Sequence, residues 1–247
     1  MSSRTITVAL CFALALAGCS KKAADTGPVA ANGPVAAVPP PPGKAWTDIV
    51  SLTPDGGMRM GNPDAPVKLV EYASFTCPHC KAFSAEASEP LRRDYIASGK
   101  LSWEFRSFLI HGPDAAVTLA VQCRGPAPFF PLSEQLFAAQ DEWLNKLVAV
   151  PAATQQRWQS LPPLDQFKAL LGAAGLRGFL GARGLPGAQL DACLADSKAA
   201  DRMIQVRDHA TNDLQVTGTP TFFINGAIQD SVFNWAELQP RVKAAVG

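Results

Sequence analysis

Val67-Lys68-Leu69-Val70-Glu71-Tyr72, followed by Ala73-Ser74-Phe75-Thr76-Cys77-Pro78-His79-Cys80, decides the fold. The first six residues alternate and are rich in strand formers, which predicts a buried strand. Pro63 and Pro66 mark the loop ahead of it. After the turn the pattern becomes helical to about Ser98, with Phe83, Ala87, Leu91 and Tyr95 spaced by four. Pro90 lies inside that pattern and should kink or divide the helix, because it brings no N–H. Leu101 to Leu109 alternates again and reads as a second strand. Strand, helix and strand of this size predict a βαβ unit.

Further along, Pro113 to about Leu214 is mostly helical, with breaks at Gly125-Pro126, Pro151, Pro162-Pro163, Gly184 and Pro186. Pro220 then introduces Thr221-Phe222-Phe223-Ile224, an apolar strand. Asn225-Gly226 is a hairpin turn signal, and Ala227-Ile228-Gln229 starts the return strand. Trp235 to Val246 is a final amphipathic helix. The order predicts a small α/β core with a helical insertion at about 113–214. There is no internal repeat.

Ahead of the core, one base (Arg4) precedes a short apolar run, Ile6 to Ala17. That run is too short to span a bilayer, which takes about 20 apolar residues, and suits a signal-peptide core. It ends in Leu16-Ala17-Gly18-Cys19, which resembles a bacterial lipobox; an ordinary secretory signal with an incidental cysteine is the alternative. The expectation is a leader over 1–18 and a lipidated Cys19. Several acyl chains would hold firmly, at about 0.8 kcal/mol per buried methylene. Residues 19–45, with Pro28, Pro34 and the run Pro39 to Pro42 and no aromatic residue, read as a tether. As extended polyproline helix, Ser20 to Ala45 would reach about 80 Å. Residues 46–247 are enough for one well-cored domain.

The whole chain carries 22 Lys and Arg against 21 Asp and Glu, so loss of Arg4 with the leader leaves 21 of each. That balance points to no nucleic acid and no strongly charged partner. An exported domain also sits where disulfides persist.

The chemistry lies in Cys77-Pro78-His79-Cys80. Pro78 fits the first helical position, where a missing N–H costs nothing. Cys77 then stands at a helix N-terminus, where unpaired amides and the positive end of the macrodipole favour a thiolate. Cys80 falls on the same face, about 5–6 Å away, compatible with closing a disulfide. One cysteine is activated and the other is poised to resolve a mixed disulfide. Structural zinc wants a second cysteine or histidine pair, and Cys123 and Cys193 stand isolated, so neither a metal nor any other cofactor is expected.

Phe75-Thr76-Cys77-Pro78-His79-Cys80 resembles the active site of the DsbA family of bacterial disulfide oxidoreductases. Val216-Thr217-Gly218-Thr219-Pro220-Thr221 resembles the cis-proline loop of the thioredoxin superfamily, and Glu71 stands where the family often keeps a buried acid. The resemblance covers Val67 to the C-terminus. It implies a thioredoxin-like fold with a helical insertion between its βαβ and ββα halves. It also implies that Thr219, Pro220 and Pro78 meet an incoming peptide, and that a thiolate held near pKa 3.5, against about 7 in thioredoxin, makes the disulfide oxidising.

His79 reads either as an exposed polar residue or as an electrostatic support for Cys77, and the resemblance favours the second. Glu71 reads either as a solvent-facing strand residue or as a proton relay or electrostatic tuner for Cys80. Cys123 and Cys193 read either as two free thiols or as a structural disulfide. His111 and His209 read as ordinary polar positions. The implied partners are reduced or unfolded exported proteins and a quinone-linked membrane partner that restores the disulfide. The implied place is the periplasmic face of the envelope, on either membrane. A reductase or isomerase of the same fold, or a binding module that keeps the fold as scaffold, are the competing functions.

Overall fold

A computed structural model describes residues 35–247. The expected leader, Cys19 and the first part of the tether lie outside the described residues. The end of the expected tether lies along the domain. Val35 N–H donates to Val246 O at 3.1 Å and Val38 N–H to Ser98 O at 2.9 Å. Trp46 Nε1 donates to Val38 O at 2.7 Å. This corrects the reading of 35–45 as free tether: a segment poor in apolar area still docks through its backbone groups. Gly99 makes room for it. At φ +71, a Cβ there would sit 2.5 Å from both Val38 O and Trp46 Nε1.

The described chain opens with two short strands, β1 (Val50–Leu52) and β2 (Met58–Met60). Neither was anticipated from the sequence. Then come β3 (Val67–Ala73) and α1 (Pro78–Pro90). Helical backbone continues as a π-helical segment, Leu91–Ile96. The change falls at Pro90, where the ladder cannot continue unaltered. β4 (Leu101–Ser107) completes the βαβ unit and pairs in parallel with β3, Val67 opposite Leu101.

The insertion follows as eight helices: α2 (Gly112–Gln122), α3 (Phe129–Ala138), α4 (Gln140–Val148), α5 (Ala152–Gln159), α6 (Pro163–Ala173), α7 (Leu176–Gly181), α8 (Gly187–Leu194) and α9 (Ser197–Asn212). The chain returns through β5 (Thr221–Ile224), β6 (Ala227–Ile228) and α10 (Trp235–Val246). Asn225 and Gly226 join β5 to β6 with φ of 50° and 82°, the left-handed pair that suits a tight hairpin. The sheet order is β1-β2-β4-β3-β5-β6, with β3 central and β5 antiparallel to it. No helix among the described residues is long and apolar enough to cross a membrane.

Both sheet faces are covered. On one, α1, the π-helical segment and α10 bring Phe83, Leu91, Trp235 and Leu238 into the core cluster that holds Leu69, Trp103 and Phe222, with the Phe83 ring against Phe222. On the other, α9 brings Val206 and Ala210 onto Tyr72 and Phe223. This explains why β4 is buried along its whole length although it alternates in sequence. Its polar residues are paired beneath cover: Arg106 donates to Glu104 and Asp55, each at 2.7 Å, and to Tyr72 Oη at 3.0 Å.

Candidate active site

The site forms where β3 ends. A parallel βαβ unit aims the chain leaving its first strand into a helix start. Here Cys77 takes the cap position with φ −82° and ψ 122°, and Pro78 opens α1. Cys80, one turn on, points into the core. Cys77 is 7 % exposed and Cys80 fully buried, and both are thiols. Among the described residues, no three His, Cys, Asp or Glu side chains gather to hold a metal.

The loop before β5 supplies the opposite wall. The Thr219–Pro220 bond is cis, and Pro220 is buried. Cys77 Sγ donates to Thr219 O at 3.3 Å.

These surroundings separate the two sulfurs. The Cys80 S–H aimed at Cys77 does most to pull the Cys77 pKa down, to about 5. Burial opposes this, while the Thr219 hydroxyl and the backbone N–H groups of Cys80 and His79 add to it. Thr219 Oγ1 is buried without a partner in the dithiol state, a spare donor for whichever sulfur ionises. Cys80 moves the other way, its pKa raised first by burial and then by the bond to Cys77 and the nearby Glu71 charge.

The His79 side chain is exposed, and what the residue brings to the sulfur is its backbone N–H. Electrostatic support is thus delivered by the peptide group at that position. Pro78 is exposed beside it.

Glu71 is 2 % exposed, which removes the solvent-facing alternative. Its Oε2 accepts from Trp103 Nε1 at 3.0 Å. Burial, outweighing that bond, raises its pKa to about 8. A carboxyl in that range exchanges a proton near neutral pH, and its charge acts on Cys80.

Two residues that shape the site were not singled out from the sequence. Asp114, 1 % exposed near the start of α2, gathers the turn ahead of Cys77. It accepts from Ser74 Oγ at 2.9 Å, Thr76 N and Oγ1 at 3.1 Å, and the Ile110 and His111 amides at 2.9 Å. An acid in the first turn just after Gly112-Pro113 is a helix-start signal, which places it but says nothing of Ser74 or Thr76. Gln140 donates to Phe75 O and Cys77 O, both at 2.9 Å, and no local motif marks it.

Away from the site, Cys123 and Cys193 form a disulfide that ties the end of α2 to α8, closing 70 residues. His111 caps α2, and His209 pairs with Asp213 at 2.7 Å.

A low-pKa thiol at a helix start, its buried partner one turn on and a cis-proline loop opposite place this chain among the thioredoxin-fold dithiol proteins. A family model described as Thioredoxin matches residues 53–244, and the chain belongs to that thioredoxin family. A protein-disulfide isomerase from Novosphingobium aromaticivorans is similar at 32% identity and TM-score 0.73, covering 76% of this chain and 96% of that one. Wolbachia pipientis α-DsbA1 shares the fold at TM-score 0.63 and 20% identity, covering 82% of this chain and 96% of that one. A Rickettsia bellii protein provisionally named a protein-disulfide oxidoreductase is 26% identical over 172 residues, 70% of this chain and 58% of its own length. The chain spans little more than half the length of the curated relatives it first matches.

Proposed function

We propose that this protein is a thiol–disulfide oxidoreductase that gives its Cys77–Cys80 disulfide to cysteine pairs of exported proteins. The observation that carries the reading is the opposition of the two sulfurs, Cys77 held near pKa 5 and Cys80 pushed upward by burial. A substrate thiolate attacks the Cys77 sulfur; the Cys77–Cys80 bond breaks, and a mixed disulfide forms. Cys80 departs with the electron pair and takes a proton, for which Glu71, with its pKa of about 8, is the nearby source. A second substrate thiolate then attacks the substrate sulfur. Cys77 leaves as a thiolate, and its low pKa makes it a good leaving group. The substrate ends oxidised by two electrons and the enzyme ends as the dithiol.

The exposed Pro78 and the backbone of Thr219 and Pro220, beside Cys77, give an extended substrate segment somewhere to lie. A quinone-linked membrane partner would restore the disulfide. Lipid attachment at Cys19 would keep the domain on the periplasmic face of the envelope, near such a partner.

The competing direction is isomerisation or reduction, which the name of the Novosphingobium relative favours. The potential of the Cys77–Cys80 couple, measured against glutathione, separates them. A value near −120 mV supports the oxidase, and one near −270 mV, about that of thioredoxin, overturns it. Loss of dithiol-peptide oxidation in Cys77→Ser, with a trapped mixed disulfide in Cys80→Ser, tests the order of attack.

A further inference from the structure

Gln140 opens α4 within the helical insertion, 63 residues beyond Cys77. It is 1 % exposed, and a carboxamide is buried this fully only where its donors are used. Both of its N–H groups go to the turn that carries the reacting cysteine, one to Phe75 O and one to Cys77 O. Cys77 O also accepts the Lys81 amide at 3.1 Å, the bond that closes the first turn of α1.

The neighbouring residues of that turn are held from elsewhere. The Phe75 ring stacks on Phe137 with centroids 5.1 Å apart. Ser74 and Thr76 hang on Asp114. What sets Gln140 apart is that it grips the backbone of Cys77 itself.

We propose that Gln140 is a positioning residue for thiol exchange: by clamping the carbonyls of Phe75 and Cys77 it fixes the aim of the Cys77 sulfur at the amides of His79 and Cys80. This rests on the reading of Cys77 as the exchanging thiol. The physical link is angular. Hydrogen bonds to an anion are strong when aligned and fall away steeply as the donor angle closes, so a sulfur that swings loses them while the fold stays intact.

The alternative is that Gln140 merely docks α4. The same helix provides the control, because Asp141, the next residue, pairs with Lys81 of α1 through a largely exposed carboxylate.

The test is thiolate absorbance against pH on the full chain in its reduced form, for the wild type, Gln140→Met and Asp141→Ala, with melting recorded for each. Gln140→Met keeps length and loses both donors. The expected result is a Cys77 midpoint raised by about one pH unit, a tenfold loss of thiolate stabilisation. The Cys77–Cys80 potential should fall by about 30 mV. Asp141→Ala should leave midpoint and potential at the wild-type values. A Gln140→Met protein that melts lower but titrates as wild type overturns the inference, as does an equal shift in Asp141→Ala. If Gln140→Met does not fold, Gln140→Asn, which is too short to reach both carbonyls, takes its place under the same criteria. A wild type that titrates like free cysteine overturns the functional reading instead.

Discussion

The Cys77 sulfur lies 3.3 Å from the carbonyl oxygen of Thr219, 142 residues further along the chain. α1, β4 and the whole insertion lie between them in sequence. Their contact is made by the register of β5 against β3, in which Tyr72 faces Thr221. A one-residue slip there would turn every side chain of β5 to the opposite face.

The ionisation of Cys77 should appear as a difference in stability between redox forms. A thiol with its folded pKa depressed to about 5, against 9.0 as the ordinary value, contributes stability that is complete above pH 9 and lost as pH falls through 5. Only the dithiol form titrates there. The reduced protein should therefore gain stability over the oxidised one as pH rises from 5 to 9, by up to about 1.4 kcal/mol per pH unit. Denaturant unfolding of both forms across that range checks it.

Glu71 acts in the opposite sense. Its pKa is raised from 4.5 to about 8, so its contribution is complete below pH 4.5 and lost as pH rises through 8. Oxidised Glu71→Gln protein should lack that loss. It should exceed the wild type in stability at pH 8 by an amount on the order of a few kcal/mol, with the gap closing towards pH 4.5. If Glu71 also supplies the proton that Cys80 takes on leaving, the rate of mixed-disulfide formation in Glu71→Gln should lose its pH dependence around pH 8.

Asp114 collects donors from two segments, and Asp114→Ala leaves them buried and unpaired. The expected cost is about 3 kcal/mol or more, read by urea unfolding. Asp114→Asn retains one acceptor oxygen and should lose less. Because the turn ahead of Cys77 loosens in both variants, alkylation of Cys77 at pH 6 should slow in each.

The Cys123–Cys193 disulfide closes a 70-residue loop, so chain entropy assigns it at most about 4 kcal/mol. Replacing both cysteines by Ala should lower stability by a few kcal/mol. It should leave insulin-reduction activity measurable at a temperature where the variant is folded, since the disulfide lies in the insertion. Melting curves check the loss of stability, and a turbidity assay checks the retained activity.

Much of the fold was legible because the relevant signals were local. The periodicity of Trp235 to Val246 alone marks a helix, and the segment is one. Asn225-Gly226 marks the hairpin with two residues that tolerate positive φ. β1 and β2 were missed because strands of three residues carry too little alternation to recognise; it is pairing with the edge of β4 that makes them strands. The alternation of β4 promised a wet face that α9 covers. The site was legible where chemistry is written in spacing, at Cys77 and Cys80, and illegible where it depends on tertiary reach. Gln140 and Asp114 reach the turn ahead of and at Cys77 from 38 or more residues away, and no motif can announce such a contact.

The docked segment at 35–45 has a practical corollary. It meets the domain beside Ser98 and Gly99, where β4 begins, whereas Cys77 follows the far end of β3. At about 3.3 Å per residue, the two poles are some 20 Å apart along the strand. A fluorophore, affinity handle or solid support joined ahead of Val35 would therefore be attached at the back of the domain, and its bulk would leave the reactive thiol clear for large reagents.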